Sequence, residues 1–250
     1  MTPAKQGGIN SPEFFSCYFD GLTKILREKK IGCHIYKLFL AIILFADDLC
    51  LLAPTRSALN KLVDSCTDYC AKYGLSFNPK KSKIMVFSKK PVDLDRLKPV
   101  FIAGKMIDYV SSVTYLGTKI TSEEGFGFSS SDNLLSFYQA SNSILNVVSG
   151  PSKHVLMHLL YANCIPTLTY ACAVKDYPAR QMIDCNTAVN DAIRKIFTYD
   201  RWESVRDLRK SYGYKSLSEI FAAAKKRFHD QLPNHQNGTI RSIALLSSVE

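Results

Sequence analysis

Apolar positions along the chain follow two regimes, and the change between them divides the sequence. Residues 12–30 set Phe15, Phe19, Leu22, Ile25 and Leu26 at helical spacing, with Pro12 suited to a first helical turn and basic residues at the close. Residues 57–73 repeat the pattern more clearly. Leu59, Leu62, Val63, Cys66, Tyr69, Cys70 and Tyr73 share one face, Asn60, Lys61, Asp64 and Asp68 lie off it, and Gly74 supplies a left-handed stop. Between these helices the period changes. Leu38 to Ala46 is a run of nine apolar residues that ends at Asp47-Asp48 and resumes as LCLLA. That pattern predicts two short buried strands joined by a tight turn carrying both carboxylates. A strand over 83–88 follows the Asn78-Pro79 turn, and residues 100–104, 105–110 and 112–120 read as strands of a small meander bent at Gly104 and Gly117.

From residue 129 the pattern is wholly helical. Leu134, Phe137, Tyr138, Ser141, Leu145 and Val148 mark a helix over 131–148, ended by Gly150-Pro151. Val155, Leu156, Leu159 and Leu160 mark a second, kinked at Pro166. A third carries Met182, Cys185, Val189, Ala192, Ile193, Ile196 and Phe197, and a last one over 216–232 opens with the capping box Ser216-x-x-Glu219. The expectation is an α+β unit over residues 1–120, a linker at 121–130, an all-α unit over 131–232, and a disordered tail at 233–250.

Composition narrows the class. Hydrophobic residues make up 46% of the 250, which excludes a disordered, self-repelling chain. Lys and Arg number 32 against 22 Asp and Glu, a formal charge of +10 that points towards a polyanionic partner without establishing one. Eight scattered cysteines with no CxxC pair exclude a disulfide scaffold and a zinc ribbon. Cys66 and Cys70, four apart on an apolar helix face, read as buried thiols of a reducing compartment, nuclear or cytoplasmic. The first residues are polar rather than signal-like, and the nine-residue apolar run is too short to cross a bilayer, so no membrane partner is expected.

The Asp47-Asp48 pair is the feature that needs a reason. Carboxylates among Phe45, Ala46 and Leu49 are costly unless something positive compensates, and two hard oxygen donors at one turn suit Mg²⁺, with Mn²⁺ as a substitute. An exposed Asp-Asp turn is the bland alternative. Residues 72–90 add Lys72, Lys80, Lys81, Lys83, Lys89 and Lys90 without an acidic residue, interleaved with Tyr73, Phe77 and Phe87, a pattern that fits a nucleic-acid track as well as it fits a solvated face. His154 and His158 lack the rest of a metal motif, GFGF at 125–128 lacks a dinucleotide fingerprint, and Trp202 reads as a packing anchor between helices, with base stacking the less favoured alternative.

Taken in order, QGGINSPEFFSCYFDGL, LFADDLCLLA, GLSFNPKKSKIMVFS and VTYLGTKI resemble successive blocks of a reverse transcriptase palm, most closely in the non-LTR, LINE-type retrotransposon enzymes. TLTYACAV and the stretch from AVNDAIRKIF to KSLSEI resemble the connecting region those elements carry, so the likeness spans about residues 5 to 232. The resemblance implies a partial palm, an antiparallel sheet with helices on one face, followed by a helical thumb and connector. It implies RNA-directed DNA synthesis with RNA template, DNA primer and deoxynucleotides as partners. Asp47 would be the main metal ligand and Asp48 its weaker neighbour; Lys81, with Lys80 as rival, would protonate departing pyrophosphate. Gln6 and Gly7 match the loop against the templating base pair, Lys80 and Lys83 the phosphate contacts, and Tyr115, Leu116 and Gly117 the hairpin that grips the primer terminus. The family also needs an aspartate on a strand ahead of the Gln-Gly block, and only five residues precede Gln6. An N-terminally truncated, inactive polymerase fragment is therefore expected, with a non-catalytic nucleic-acid-binding module as the alternative.

Overall fold

The structure is a computed structural model that describes residues 11–123, 125–146 and 150–247, with side chains from Phe19 to Leu246 within them. The chain divides into two compact units. One comprises the chain to Ile84 together with Asp93–Val110; the other comprises Met85–Val92 and everything from Ser111 onward.

The first unit begins with α1 (Ser11–Lys29), whose Phe19, Leu22 and Leu26 are buried at the spacing the sequence predicts. Two hairpins follow. β1 (His34–Ile35) pairs with β2 (Leu38–Phe39), and β3 (Ile42–Phe45) pairs with β4 (Asp48–Leu51), both antiparallel. Backbone bonds from Cys33 N and Leu52 N to Leu52 O and Ala41 O extend the ladder beyond the assigned strands. Gly32 makes this possible: it sits at φ +108°, and a Cβ there would lie 2.2 Å from the Ala41 Cβ and 3.0 Å from Leu52 O. The helix α2 (Arg56–Lys72) starts at Thr55, whose side chain accepts from Ala58 N, and it buries Leu62, Cys66, Tyr69 and Cys70 against α1 and the hairpin. Val63, from the same helix, joins a second small core with Val100, Ile102 and Ile107. That core belongs to β5 (Lys83–Ile84), β6 (Val100–Ile102) and β7 (Lys105–Tyr109).

The second unit opens with a three-stranded antiparallel sheet, β8 (Ser112–Tyr115), β9 (Thr118–Thr121) and β10 (Gly127–Ser129), in the order β10-β9-β8. Helices follow: α3 (Ser131–Leu145), α4 (Lys153–Leu159), α5 (Ile165–Thr169), α6 (Ala179–Phe197), α7 (Arg206–Ser211), α8 (Leu217–Gln231) and α9 (Gly238–Ser247). Phe137, Met157, Leu160, Leu168, Cys185 and Ile193 form the fully buried centre of this unit. The kink expected at Pro166 is a π-helical turn over Leu160–Cys164, which widens the backbone where proline offers no N–H and its ring crowds the preceding turn. The capping box closes as predicted: Ser216 Oγ accepts from Glu219 N at 3.2 Å and Glu219 Oε2 accepts from Ser216 N at 2.7 Å. Lys175 is buried between the rings of Tyr170 and Tyr177, where its ammonium donates to Asn133 Oδ1 at 3.1 Å; burial lowers its pKa.

Several expectations need correction. The palm-like sheet is four small sheets rather than one, and β5 pairs with β7 in parallel. The strand expected over 83–88 stops at Ile84, and Met85–Val92 belongs to the other unit. Residues within the expected 121–130 linker form β10, with Phe128 paired to Ile120, because GFS alternates well enough to add an edge strand. Residues expected to lie in a disordered tail form α9, whose start is fixed by Asn237 Oδ1 accepting from Thr239 N. Trp202 is 82% exposed and anchors no packing. Val148 lies outside the described residues.

Gly32→Ala is expected to destabilise the chain by about 1–3 kcal/mol, read as a lower urea midpoint, because it forces a side chain into a left-handed site against Ala41. A second expectation concerns alkali. Burial, then the neighbouring Cys70, pushes the Cys66 thiol from 9.0 up to about 12. The stability held by that neutral thiol is whole below pH 9.0 and is lost as pH rises through about 12. The urea midpoint should therefore fall above pH 9.0, and fall less in Cys66→Val.

Candidate active-site hairpin and nucleic-acid interface

The β3–β4 ribbon has two chemically different faces because its register is strict. Ile42 opposes Leu51 and Leu44 opposes Leu49, and these four point inward onto the core formed by α1 and α2. Ile43 opposes Cys50 and Phe45 opposes Asp48 on the outer face, where Ile43 is 46% and Phe45 60% exposed. The strands are thus half-buried rather than fully buried. The turn residues are Ala46 and Asp47, with Ala46 left-handed at φ 49°, so Asp48 belongs to β4 and not to the turn.

Both carboxylates are exposed, and among the described residues neither has a hydrogen bond or an ion pair. Exposure removes the desolvation cost that the sequence reading assigned to them. The donors suit a hard, oxygen-seeking cation in kind. In number they are two: among the described residues no group of three or more His, Cys, Asp or Glu side chains is placed to hold a metal ion. Asp20, an acidic residue of α1, is exposed on that helix.

The lysines divide. Asn78 organises their turn: its Oδ1 accepts from Lys80 N at 3.1 Å, and its carbonyl accepts from Lys81 N at 3.1 Å and Ser82 N at 3.0 Å. Lys80 and Lys81 are exposed and, among the described residues, their ammonium groups pair with nothing. Lys83 is different. The parallel β5–β7 register sets it opposite Asp108, and its Nζ lies 2.6 Å from Asp108 Oδ2, a partner that the acid-free stretch 72–90 could not reveal. Of the remaining basic residues of that stretch, Lys72 closes α2, and Lys89 and Lys90 belong to the other unit.

Tyr115, Leu116 and Gly117 occupy the β8–β9 hairpin of the second unit. Leu116 and Gly117 are both left-handed, at φ 47° and 69°, the pairing that a two-residue type I′ turn requires. Sequence reasoning missed the residue that fixes this tip. Tyr170 OH donates to Leu116 O at 3.0 Å, and a Cβ on Gly117 would meet the Tyr170 ring at 3.1 Å. The only sequence sign of it is its place in TLTYACAV. Gln6 and Gly7 lie outside the described residues.

Residues 2–120 match the family model described as reverse transcriptase (RNA-dependent DNA polymerase). Over that stretch, just under half of its length, the chain is similar to reverse transcriptases. The match takes in the Asp47-Asp48 hairpin, the lysine turn and the Tyr115–Gly117 hairpin, and it ends at the last residues of β9. No curated protein matches the chain. Nucleic-acid template and primer are the partners of that family; in this chain no described helix is long and apolar enough to cross a membrane.

Asp108→Asn is expected to release Lys83 for phosphate. Because the pair is surface-exposed, the stability cost should stay under about 1 kcal/mol. Affinity for an RNA–DNA duplex should rise, with a steeper salt dependence, when measured by fluorescence anisotropy.

Proposed function

We propose that the chain is the metal-bearing hairpin and helical portion of an RNA-directed DNA polymerase of the non-LTR retrotransposon type, and that it synthesises little DNA by itself. The observation that supports this reading is the Ala46-Asp47 turn with Asp48 beside it, two unpaired carboxylates on a ribbon held from behind by α1 and α2, in a chain of reverse transcriptase kinship. Phosphoryl transfer by polymerases uses two magnesium ions about 3.5–4 Å apart, which activate the primer hydroxyl and neutralise the leaving pyrophosphate.

Asp47 and Asp48 hold metal in this reading, Asp47 foremost. Lys81, or Lys80 beside it, attracts the triphosphate and hands a proton to pyrophosphate as it leaves. Lys83 supports the phosphates once freed from Asp108. Tyr115, Leu116 and Gly117 hold the primer terminus, and Gln6 and Gly7 lie along the templating pair. Two carboxylates from one ribbon bind magnesium weakly, because the ion keeps its waters unless several charged oxygens replace them. A third carboxylate from elsewhere is needed for synthesis. The same shortage favours a second reading, a binding module that grips primer–template without catalysing.

Primer extension on an RNA template with the purified chain and Mg²⁺ tests the proposal together with Mn²⁺ titration followed by electron paramagnetic resonance. Extension should stay at background, and weak Mn²⁺ binding should vanish in Asp47→Asn/Asp48→Asn while salt-sensitive duplex binding persists or tightens. Asp47-dependent synthesis would overturn the claim of inactivity. Retention of Mn²⁺ by the double variant would overturn the metal site and leave the binding module.

A further inference from the structure

The second unit contains a cleft of about 330 Å³ whose polar lining is cationic. Arg194 from α6 and Arg206 and Arg209 from α7 converge on it, with Asn190, Ser204 and Ser218 completing the wall. Three guanidiniums in one cleft repel one another, so the disposition of nearby acids decides whether charge is left over. Arg194 is satisfied: its Nη1 lies 2.7 Å from Asp191 Oδ1 and its Nε donates to Glu203 O at 3.0 Å. Arg209 is not, for its Nε is buried without a hydrogen-bond partner. Among the described residues the Arg206 side chain makes no ion pair or hydrogen bond.

Glu219 is a further carboxylate within electrostatic reach of Arg209. It is committed to Ser216, whose hydroxyl and backbone N–H each lie 2.7 Å from Oε2 and hold its carboxyl below the usual range, with Arg209 and Lys210 adding to the shift. Among the described residues no acid, Asp207 beside Arg206 in the chain included, forms an ion pair with Arg206 or Arg209, and the buried Arg209 Nε–H awaits an acceptor. Beside the cleft, the turn that Arg194 clamps at Glu203 carries Trp202, the chain's one tryptophan, at 82% exposure. A large indole left in water on the turn that a cleft-lining arginine clamps is suited to single-stranded nucleic acid. Bases of any sequence stack on the ring, and arginine forks take the phosphodiester oxygens.

We infer that the Arg194–Arg206–Arg209 cleft binds a backbone phosphate of a single-stranded nucleic acid, with Trp202 stacking on an adjacent base. The site lies beyond residues 2–120, outside the reverse transcriptase match, and does not depend on catalysis at the hairpin.

Anisotropy titration of a fluorescein-labelled oligouridylate with the full chain over a salt series tests this. Arg206→Gln/Arg209→Gln removes the cations that neutralise this phosphate and should lower the slope of log affinity against log salt by about 0.7, and Arg206→Gln alone, at an exposed side chain, by part of that. Trp202→Ala should weaken binding by at least about fivefold with the slope unchanged. Asp47→Asn/Asp48→Asn should leave the Arg206 and Trp202 effects intact, which separates this site from the hairpin. An unchanged slope in Arg206→Gln with an unchanged melting curve overturns the inference. So does displacement of the oligonucleotide by an equal concentration of inorganic phosphate, which would mark a small-anion site.

Discussion

The first unit rests on one constraint: a four-residue apolar ribbon must bury one face while its turn stays in water. A two-stranded hairpin is marginal by itself, so β3–β4 exists because Ile42, Leu44, Leu49 and Leu51 land together on a core supplied by Leu22, Leu26, Leu62 and Cys66. A slip of one residue would turn those four outward and drive Asp48 into the helices, at the full cost of an unpaired buried charge. Register, helix packing and the position of the acidic pair are therefore one fact. Gly32 belongs to it as well, since no other residue lets the chain turn so close to Ala41 and Leu52.

Charge is distributed with a comparable logic. A surplus of +10 says little about where a polyanion would sit, because folding spends several lysines on acids remote in sequence. Lys83 meets Asp108, Lys119 meets Asp132, and Lys225 meets Asp176, each pair partly exposed and individually worth little. Their effect is to withdraw cations from availability. Lys80 and Lys81 in one unit, and Arg206 and Arg209 in the other, remain without such partners among the described residues.

The sequence made some of this legible and concealed the rest for definable reasons. The helices α1, α2, α6 and α8 were readable because each carries a long apolar stripe, and α8 adds a capping box that is a local chemical rule. The acidic hairpin was readable because an apolar run tolerates so few interruptions. Its detail was not: that Ala46 rather than Asp48 shares the turn with Asp47 follows from a register fixed by packing, which periodicity cannot see. The strand β10 escaped because glycine and serine look like a linker until a neighbouring edge is present to pair with. The Lys83–Asp108 pair escaped because it joins positions 25 apart through a parallel register. Trp202 was misplaced because a lone tryptophan is ordinarily a core residue, and only coordinates show it left outside.

The exposure of the acidic pair bears directly on its chemistry. Magnesium surrenders its waters reluctantly, so a site that exchanges nucleotide and pyrophosphate needs carboxylates already in solvent, where binding the ion replaces few protein contacts. Asp47 and Asp48 meet that condition because the ribbon's inner face does all the anchoring and the acids do none. Carboxylates tied into ion pairs would hold the turn more firmly and offer the metal less. The outer face carries Ile43 and Phe45 beside Asp48, an apolar surface next to a hard ligand. Covering that surface would desolvate Asp48 and strengthen its attraction for a cation, since electrostatic forces grow as water is excluded. In the proposed reading, metal affinity at this ribbon would therefore be coupled to whatever packs on its outer face, while the inner core fixes the position of the two carboxylates.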